Sequence, residues 1–288
     1  MPSISAARWR AYRAETYRLK PGRRLTTPDA AVRFVNERGF VYFWPIKGVE
    51  LPSLWAAVAG DRPVADAHDD PGHVTWGWKD RLLGQRRWFY AKLLRGKATL
   101  VSLPTLPYFY ALSENYGAYQ HDYEELYAAG RLTQEAKAVY EALLAKGALD
   151  TLALRREARL ASQDSTTRFE RALVDLQSGL FIQPIGVAEV GAWRYAFIYD
   201  IVARHHPDLP ARAGALKRSD ARAHLAGLYL RSVGAATVAQ LRRLFRWTPE
   251  EARRTAERLV ETRRAVAVTE VAGVTGDWLT VPALLRRR

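Results

Sequence analysis

One arrangement runs twice through the second half of the chain, and this repetition limits the fold more than any other feature. Thr133 opens a helical stretch with Ala136, Val139, Tyr140, Leu143 and Leu144 on one stripe, and Gly147 ends it. Asp150 can cap a second helix through Leu160, and a third from Ser165 puts Phe169, Ala172, Leu173 and Leu176 on one face before Gly179. LFIQPIGV, a turn at Gly191 and WRYAFIY then predict two antiparallel strands with a short wing between them. The order returns further along. Ser219 starts a helix that ends at Gly234, Thr237 starts a short one through Phe245, and Thr248-Pro249-Glu250-Glu251 supplies an N-cap, a first-turn proline and a capping-box acid. Ala252, Ala256, Leu259 and Val260 make its buried stripe, and AVAVTEV, AGVTG and DWLTV repeat strand, wing and strand. Gly147 corresponds to Gly234, Leu154 to Leu241 and Leu176 to Leu259, a spacing of 83 to 87 residues. Two copies of a small winged helix-turn-helix module fit this spacing better than one large helical domain.

The first part is less regular. Thr27-Pro28-Asp29 begins a helix to Arg38, Gly39 ends it, and FVYFWPI follows as an aromatic strand closed by Pro45. A third, decorated copy is expected here. The fold class is therefore α+β and mainly helical, with three tandem winged helix-turn-helix modules and small antiparallel hairpins, over 1–128, 129–210 and 211–288. A length of 288 residues with 48% apolar composition can bury such cores.

Charge points to the partner. The chain carries 44 Lys and Arg against 30 Asp and Glu, a net +14, which favours a polyanion. Residues 1–24 hold seven basic groups and one acid, and residues 211–288 hold sixteen and seven, so the two ends carry the excess. Within the near-neutral middle, residues 79–97 contain Lys79, Arg81, Arg86, Arg87, Lys92, Arg95 and Lys97 against Asp80 alone, interleaved with Trp88, Phe89 and Tyr90. Double-stranded DNA, damaged or intact, is the expected partner, held by its phosphates. No apolar run is long enough to span a bilayer and the N-terminus has no signal-peptide core, so a cytoplasmic, membrane-independent protein is expected. With no cysteine, thiol chemistry and thiolate metal sites are excluded, and no cofactor is indicated.

AKAVYEALLAKGALDTLALRREARL, FERALVDLQSGLFIQPIGV with its aromatic hairpin, and LRSVGAATVAQLRRLF ahead of RLVETRRAVAVTEV together resemble the bacterial winged-helix DNA glycosylases of the YcaQ/AlkZ-like type. The resemblance covers roughly residues 27–285. It implies three tandem winged helices around a concave DNA-binding surface, and excision of alkylated or crosslinked bases. It also implies a Gln-x-Asp or Gln-x-Gln motif after the first helix, whose polar ends position a water and steady charge on the sugar. The matching segment here is Val41-Tyr42-Phe43-Trp44-Pro45, so those catalytic residues do not carry over. An altered active site or a non-enzymatic, transcription-regulatory DNA-binding protein are the two readings left open.

Glu114, ahead of Glu50 and Asp69, is the candidate catalytic carboxylate, because Glu114 and Glu50 each stand beside aromatic sequence that could form a pocket. Tyr42, Trp44 and Trp88 are candidates for base stacking. Arg86, Arg87, Lys92, Arg95 and Lys97 are candidate phosphate contacts. Arg168 and Arg171 in one third helix and Arg253, Arg254 and Arg258 in the other join them. The loop His68-Asp69-Asp70-Pro71-Gly72-His73 holds metal-capable groups that a phosphoesterase could use, but no second cluster completes a site, and no metal is expected.

Overall fold

Side-chain caps start the helices where the sequence predicts. In the computed structural model, which describes residues 3–285, Thr133 Oγ1 accepts from the Ala136 N–H at 3.2 Å and opens the helix Gln134–Lys146. Asp150 accepts from the Leu152 and Ala153 N–H groups at 2.9 and 3.0 Å and opens Thr151–Glu157. In the second copy Thr237 and Thr248 form capping boxes with Gln240 and Glu251, ahead of the helices Val238–Phe245 and Pro249–Glu261. Each copy ends in a hairpin and has the same strand order. Leu149–Asp150 pairs with Ala196–Ile201, which pairs with Ile182–Ala188, so the last strand lies in the middle. Ala235–Thr237, Val274–Thr280 and Val266–Val271 repeat that arrangement. The result is an α+β fold with small sheets.

Two compact units divide the chain, Met1–Gly77 with Arg218–Arg288, and Trp78–Lys217. Compactness thus groups the chain differently from the three consecutive segments 1–128, 129–210 and 211–288. The reason lies in the helix Arg218–Val233, which is buried along much of its length. The last carbonyls of a helix lack intrahelical partners, and here the N-terminal helix Ala6–Thr16 supplies them: Trp9 Nε1–H donates to Val233 O at 2.7 Å, the Tyr12 hydroxyl to Arg231 O at 2.8 Å, and the Thr16 hydroxyl to Ser232 O at 2.7 Å. Ahead of that helix, Ser3–Ile4 adds a short parallel strand beside Glu270 and Val271 and covers a sheet edge.

In the other unit Val139, Tyr140, Leu143, Leu154, Phe169, Leu176 and Ile182 belong to one buried cluster, with Leu144 partly buried against it. This is the helical stripe read from the sequence, closed by the first strand of the hairpin.

Three elements are shorter than expected. The helix predicted to reach Leu160 stops at Glu157, because Arg159 takes a left-handed conformation (φ 57°) that turns Leu160 into the core. The wing AGVTG contracts to a tight turn: Val271 pairs directly with Val274, and Ala272 and Gly273 both have positive φ, 55° and 81°. The aromatic strand keeps only Phe40–Tyr42, since the chain folds back so that the Tyr42 N–H donates to Pro52 O at 3.0 Å and the Trp55 N–H to Phe43 O at 3.1 Å. No helix among the described residues is long and apolar enough to cross a membrane.

Burial also sets an acid limit on the fold. His206, desolvated and beside His205 and Arg86, has its pKa pushed down from 6.5 to about 4, and His224, desolvated and near Arg264 and Arg231, is likewise lowered to about 4. Both depressed values favour the neutral rings of the folded state. The stability they contribute is present above about pH 6.5 and is lost as pH falls towards 4. Urea midpoints measured at pH 7 and pH 5 are expected to fall on acidification, and to fall less in a His206→Gln protein; equal falls would exclude His206 as the source.

Candidate functional site

The segment Val41 to Pro45 lies in an aromatic cluster. Tyr42 and Phe43 are buried, at 0% and 1% exposure, while Trp44 is half-buried. The Trp44 ring centroid is 4.6 Å from Phe43, 5.2 Å from Trp55, 5.7 Å from Trp76 and 6.0 Å from His73. Trp76 is 39% exposed, so Trp44 and Trp76 form the accessible rim of the cluster. Arg62 lies over Trp55 at 5.1 Å and bonds Asp70 at 2.6 Å. Such a rim offers π-faces to a planar base. It differs from the trio expected for stacking: Tyr42, at the end of the fully buried short strand Phe40–Tyr42, and Trp88 (2% exposed), just ahead of the hairpin strand Phe89–Lys92, are core. Trp44 alone of the three presents a surface. Trp76 was not singled out by spacing, and only packing distinguishes it from its neighbours.

Glu50 stands close by in the chain and lines a cavity of about 560 Å³ together with Arg13, Tyr17, Pro45, Val49 and Leu51. It forms an ion pair with Arg13, whose guanidinium lies 5.1 Å from the Trp9 ring and 4.9 Å from the Tyr17 ring. A partly accessible carboxylate fixed by a guanidinium can accept a proton or face a developing positive charge. Glu114 is likewise half-exposed and ion-paired, with Arg131, and stands next to Asn115, which ties the turn down through its side-chain bond to Gly179 O at 2.6 Å. Asp69 is exposed in a turn.

The His68 to His73 loop does turn chemistry. Asp70 accepts from the Gly72 N–H at 2.7 Å, and Arg62 together with that N–H holds its carboxyl below the usual range. A His73 ring nitrogen is 3.0 Å from Ala65 O, and the His68 and His73 ring centroids are 6.4 Å apart. No group of three or more His, Asp or Glu among the described residues is placed to hold a metal.

The basic residues separate into two kinds. Arg86, Arg87, Lys92 and Lys97 are exposed and Arg95 is half-exposed around the hairpin Phe89–Lys92 and Ala98–Val101, whose Phe89, Tyr90 and Ala91 are buried. Aromatic side chains face in and cations face out. Lys79 is the exception: it is fully buried, bonded to the Tyr195 hydroxyl at 2.9 Å and to Asp80 at 2.9 Å, and 4.4 Å from the Phe197 ring. On the third helices every candidate arginine meets an acid. Arg168 pairs with Glu135 at 3.0 Å, Arg171 is 4.0 Å from Asp175, Arg253 pairs with Glu250 at 2.8 Å and with Glu257, Arg254 with Glu250, and Arg258 with Asp220. Those faces are close to neutral.

An α+β chain of repeated helical modules with antiparallel hairpins, carrying an exposed basic surface, is thus the class to which this protein belongs. Its residues 25–246 match the family described as AlkZ related, and the chain belongs to that family. Among solved structures it is similar to the Streptomyces sahachiroi DNA glycosylase AlkZ, with a TM-score of 0.58 and 15% sequence identity, covering 98% of this chain and 71% of that one. At that identity the likeness is one of fold. No curated protein matches the chain.

Proposed function

We propose that this protein binds duplex DNA through tandem winged helices and releases cationic alkylated purines from it, with Glu50 as the carboxylate at the reacting sugar. The observation that carries the reading is the likeness of fold, over nearly the whole chain, to a DNA glycosylase, in a protein of net charge +14. The order of helix, strand, helix, helix and hairpin in Pro28–Arg38, Phe40–Tyr42, Leu54–Ala59, Val74–Gly84 and Phe89–Val101 supports a decorated third module. DNA in this reading is gripped by its phosphates, with the exposed cations of residues 86–97 as the main contacts.

The chemistry follows from what the segment 41–45 lacks. A neutral base needs help to leave, but a purine alkylated on a ring nitrogen already carries positive charge and departs as a neutral molecule. What remains is to steady the cation that develops on the sugar and to aim a water at its anomeric carbon. Glu50, oriented by Arg13, supplies a negative charge for the first task and a hydrogen-bond acceptor that can orient the water for the second. The damaged base would stack on the rim of Trp44 and Trp76. Incubation with duplexes carrying 7-methylguanine, 3-methyladenine or a crosslink, followed by cleavage at abasic sites, tests this. Strand breaks are expected with the methylated duplexes. Their absence from every substrate, with DNA affinity intact, would support instead the second reading, a non-enzymatic regulator, which the missing Gln motif favours.

A further inference from the structure

The two well-matched hairpins differ at their tips. In the C-terminal copy Val271 pairs directly with Val274. In the central copy the last pair is Ala188 with Ala196, which leaves residues 189–195 outside the ladder. This longer tip carries Trp193 at 92% exposure, while Trp76, the most exposed other tryptophan among the described residues, is 39% exposed. An indole is a large apolar surface that proteins ordinarily bury at least in part. Here the backbone holds it out. Arg194 is left-handed (φ 48°), bonds Glu189 across the tip at 2.8 Å, and donates its N–H to Gly191 O at 3.1 Å. Gly191 has φ 80°, and a Cβ there would come within 3.2 Å of Leu152.

The root of the hairpin is fixed in the same compact unit. The Tyr195 hydroxyl accepts from buried Lys79 at 2.9 Å and lies 3.1 Å from Asp80 Oδ1, and the Thr151 hydroxyl donates to Phe197 O at 3.0 Å. A protruding ring on a narrow, anchored two-stranded ribbon has the shape of a wedge. A protein-docking surface, in contrast, needs a broad patch several hundred Å² in area, and Trp193 stands out singly.

We infer that Trp193 inserts at an unpaired or distorted step of duplex DNA and stacks on the exposed base face. Aromatic wedges of this kind stabilise unstacked, kinked steps, which are least costly to open where pairing is already lost. The inference rests on the DNA-binding reading and deepens it, since it names the feature by which damaged duplex is told from intact duplex.

The full chain is titrated into two duplexes of one sequence, one fully paired and one with an unpaired base beside 2-aminopurine. A rise in 2-aminopurine fluorescence with the second duplex is expected, reporting unstacking. Trp193→Ala should abolish that rise and weaken binding to the second duplex by about 5- to 150-fold, the range for losing one aromatic–base stack. Binding to the paired duplex and its salt dependence should stay unchanged, and Trp193→Phe should keep most of the signal. Because the ring is exposed, the melting temperature of both variants should match that of the parent. Equal affinities of parent and Trp193→Ala protein for both duplexes, or an equal loss on both, would overturn the wedge, and the former would move Trp193 to a protein-facing role. Failure of the parent chain to bind either duplex would instead overturn the DNA-binding reading itself.

Discussion

A Glu50→Gln protein is expected to release 7-methylguanine from methylated duplex DNA about 10²- to 10⁴-fold more slowly than the parent, the usual worth of a positioned acid–base carboxylate. The amide keeps the shape of the side chain but neither takes a proton nor opposes positive charge on the sugar. The choice of Glu50 over Glu114 and Asp69 rests on the cavity that Glu50 lines; both glutamates are ion-paired with an arginine and are equally exposed, and Asp69 is exposed in a turn. Glu114→Gln and Asp69→Asn are accordingly expected to keep nearly full rates. Melting temperature and DNA affinity, measured on each variant, separate lost chemistry from lost structure, since Gln at 50 also ends the ion pair with Arg13. Full activity in Glu50→Gln would remove that residue from the mechanism, and a large loss in Glu114→Gln would hand the role to Glu114.

The second large effect concerns binding. Each phosphate neutralised on duplex DNA contributes about 0.9 to the slope of log K against log salt, so replacing Arg86, Arg87, Lys92 and Arg95 together with Ala should make that slope shallower by about 3.6. Affinity at low salt falls with it. The arginines of the third helices should matter less: Arg253 and Arg254 already share Glu250, and Arg258 already faces Asp220, so a phosphate must compete with a carboxylate. Fluorescence anisotropy across a salt series reads both slopes. An unchanged slope in the fourfold variant, with a flattened one in an Arg253→Ala/Arg254→Ala/Arg258→Ala protein, would move the phosphate grip to the C-terminal helix. Binding indifferent to salt in the parent would exclude a phosphate grip altogether.

Much of the fold was legible in the sequence because the deciding interactions are local. A cap such as Thr133, Asp150, Thr237 or Thr248 acts within four residues, and the stripe Ala136, Val139, Tyr140 and Leu143 needs only helical periodicity to share a face. Helix positions, the hairpins and the repeat follow from such signals. The exposed cations around the 89–101 hairpin follow from residue type, because a charged side chain is costly to bury without a partner.

What the tertiary structure alone decided depends on contacts far apart in sequence. Nothing near Thr16 announces that its hydroxyl meets Ser232 O across 216 positions, or that Ser3–Ile4 joins a strand near the other end of the chain. These long-range bonds made one compact unit of the two ends. Burial was equally hidden: Lys79, one basic group among seven in the 79–97 run, is withdrawn into an aromatic and acidic surround, and Tyr42 and Trp88 became core while Trp44 and Trp76 kept accessible edges. The site was legible only as a set of candidates, since Glu50 and Glu114 have similar aromatic neighbourhoods in the chain. Residue type and spacing fix what a side chain can do; which charges stay in water and which carboxylate lines a cavity are set by the packing of distant segments, because desolvation depends on everything that surrounds a group in space.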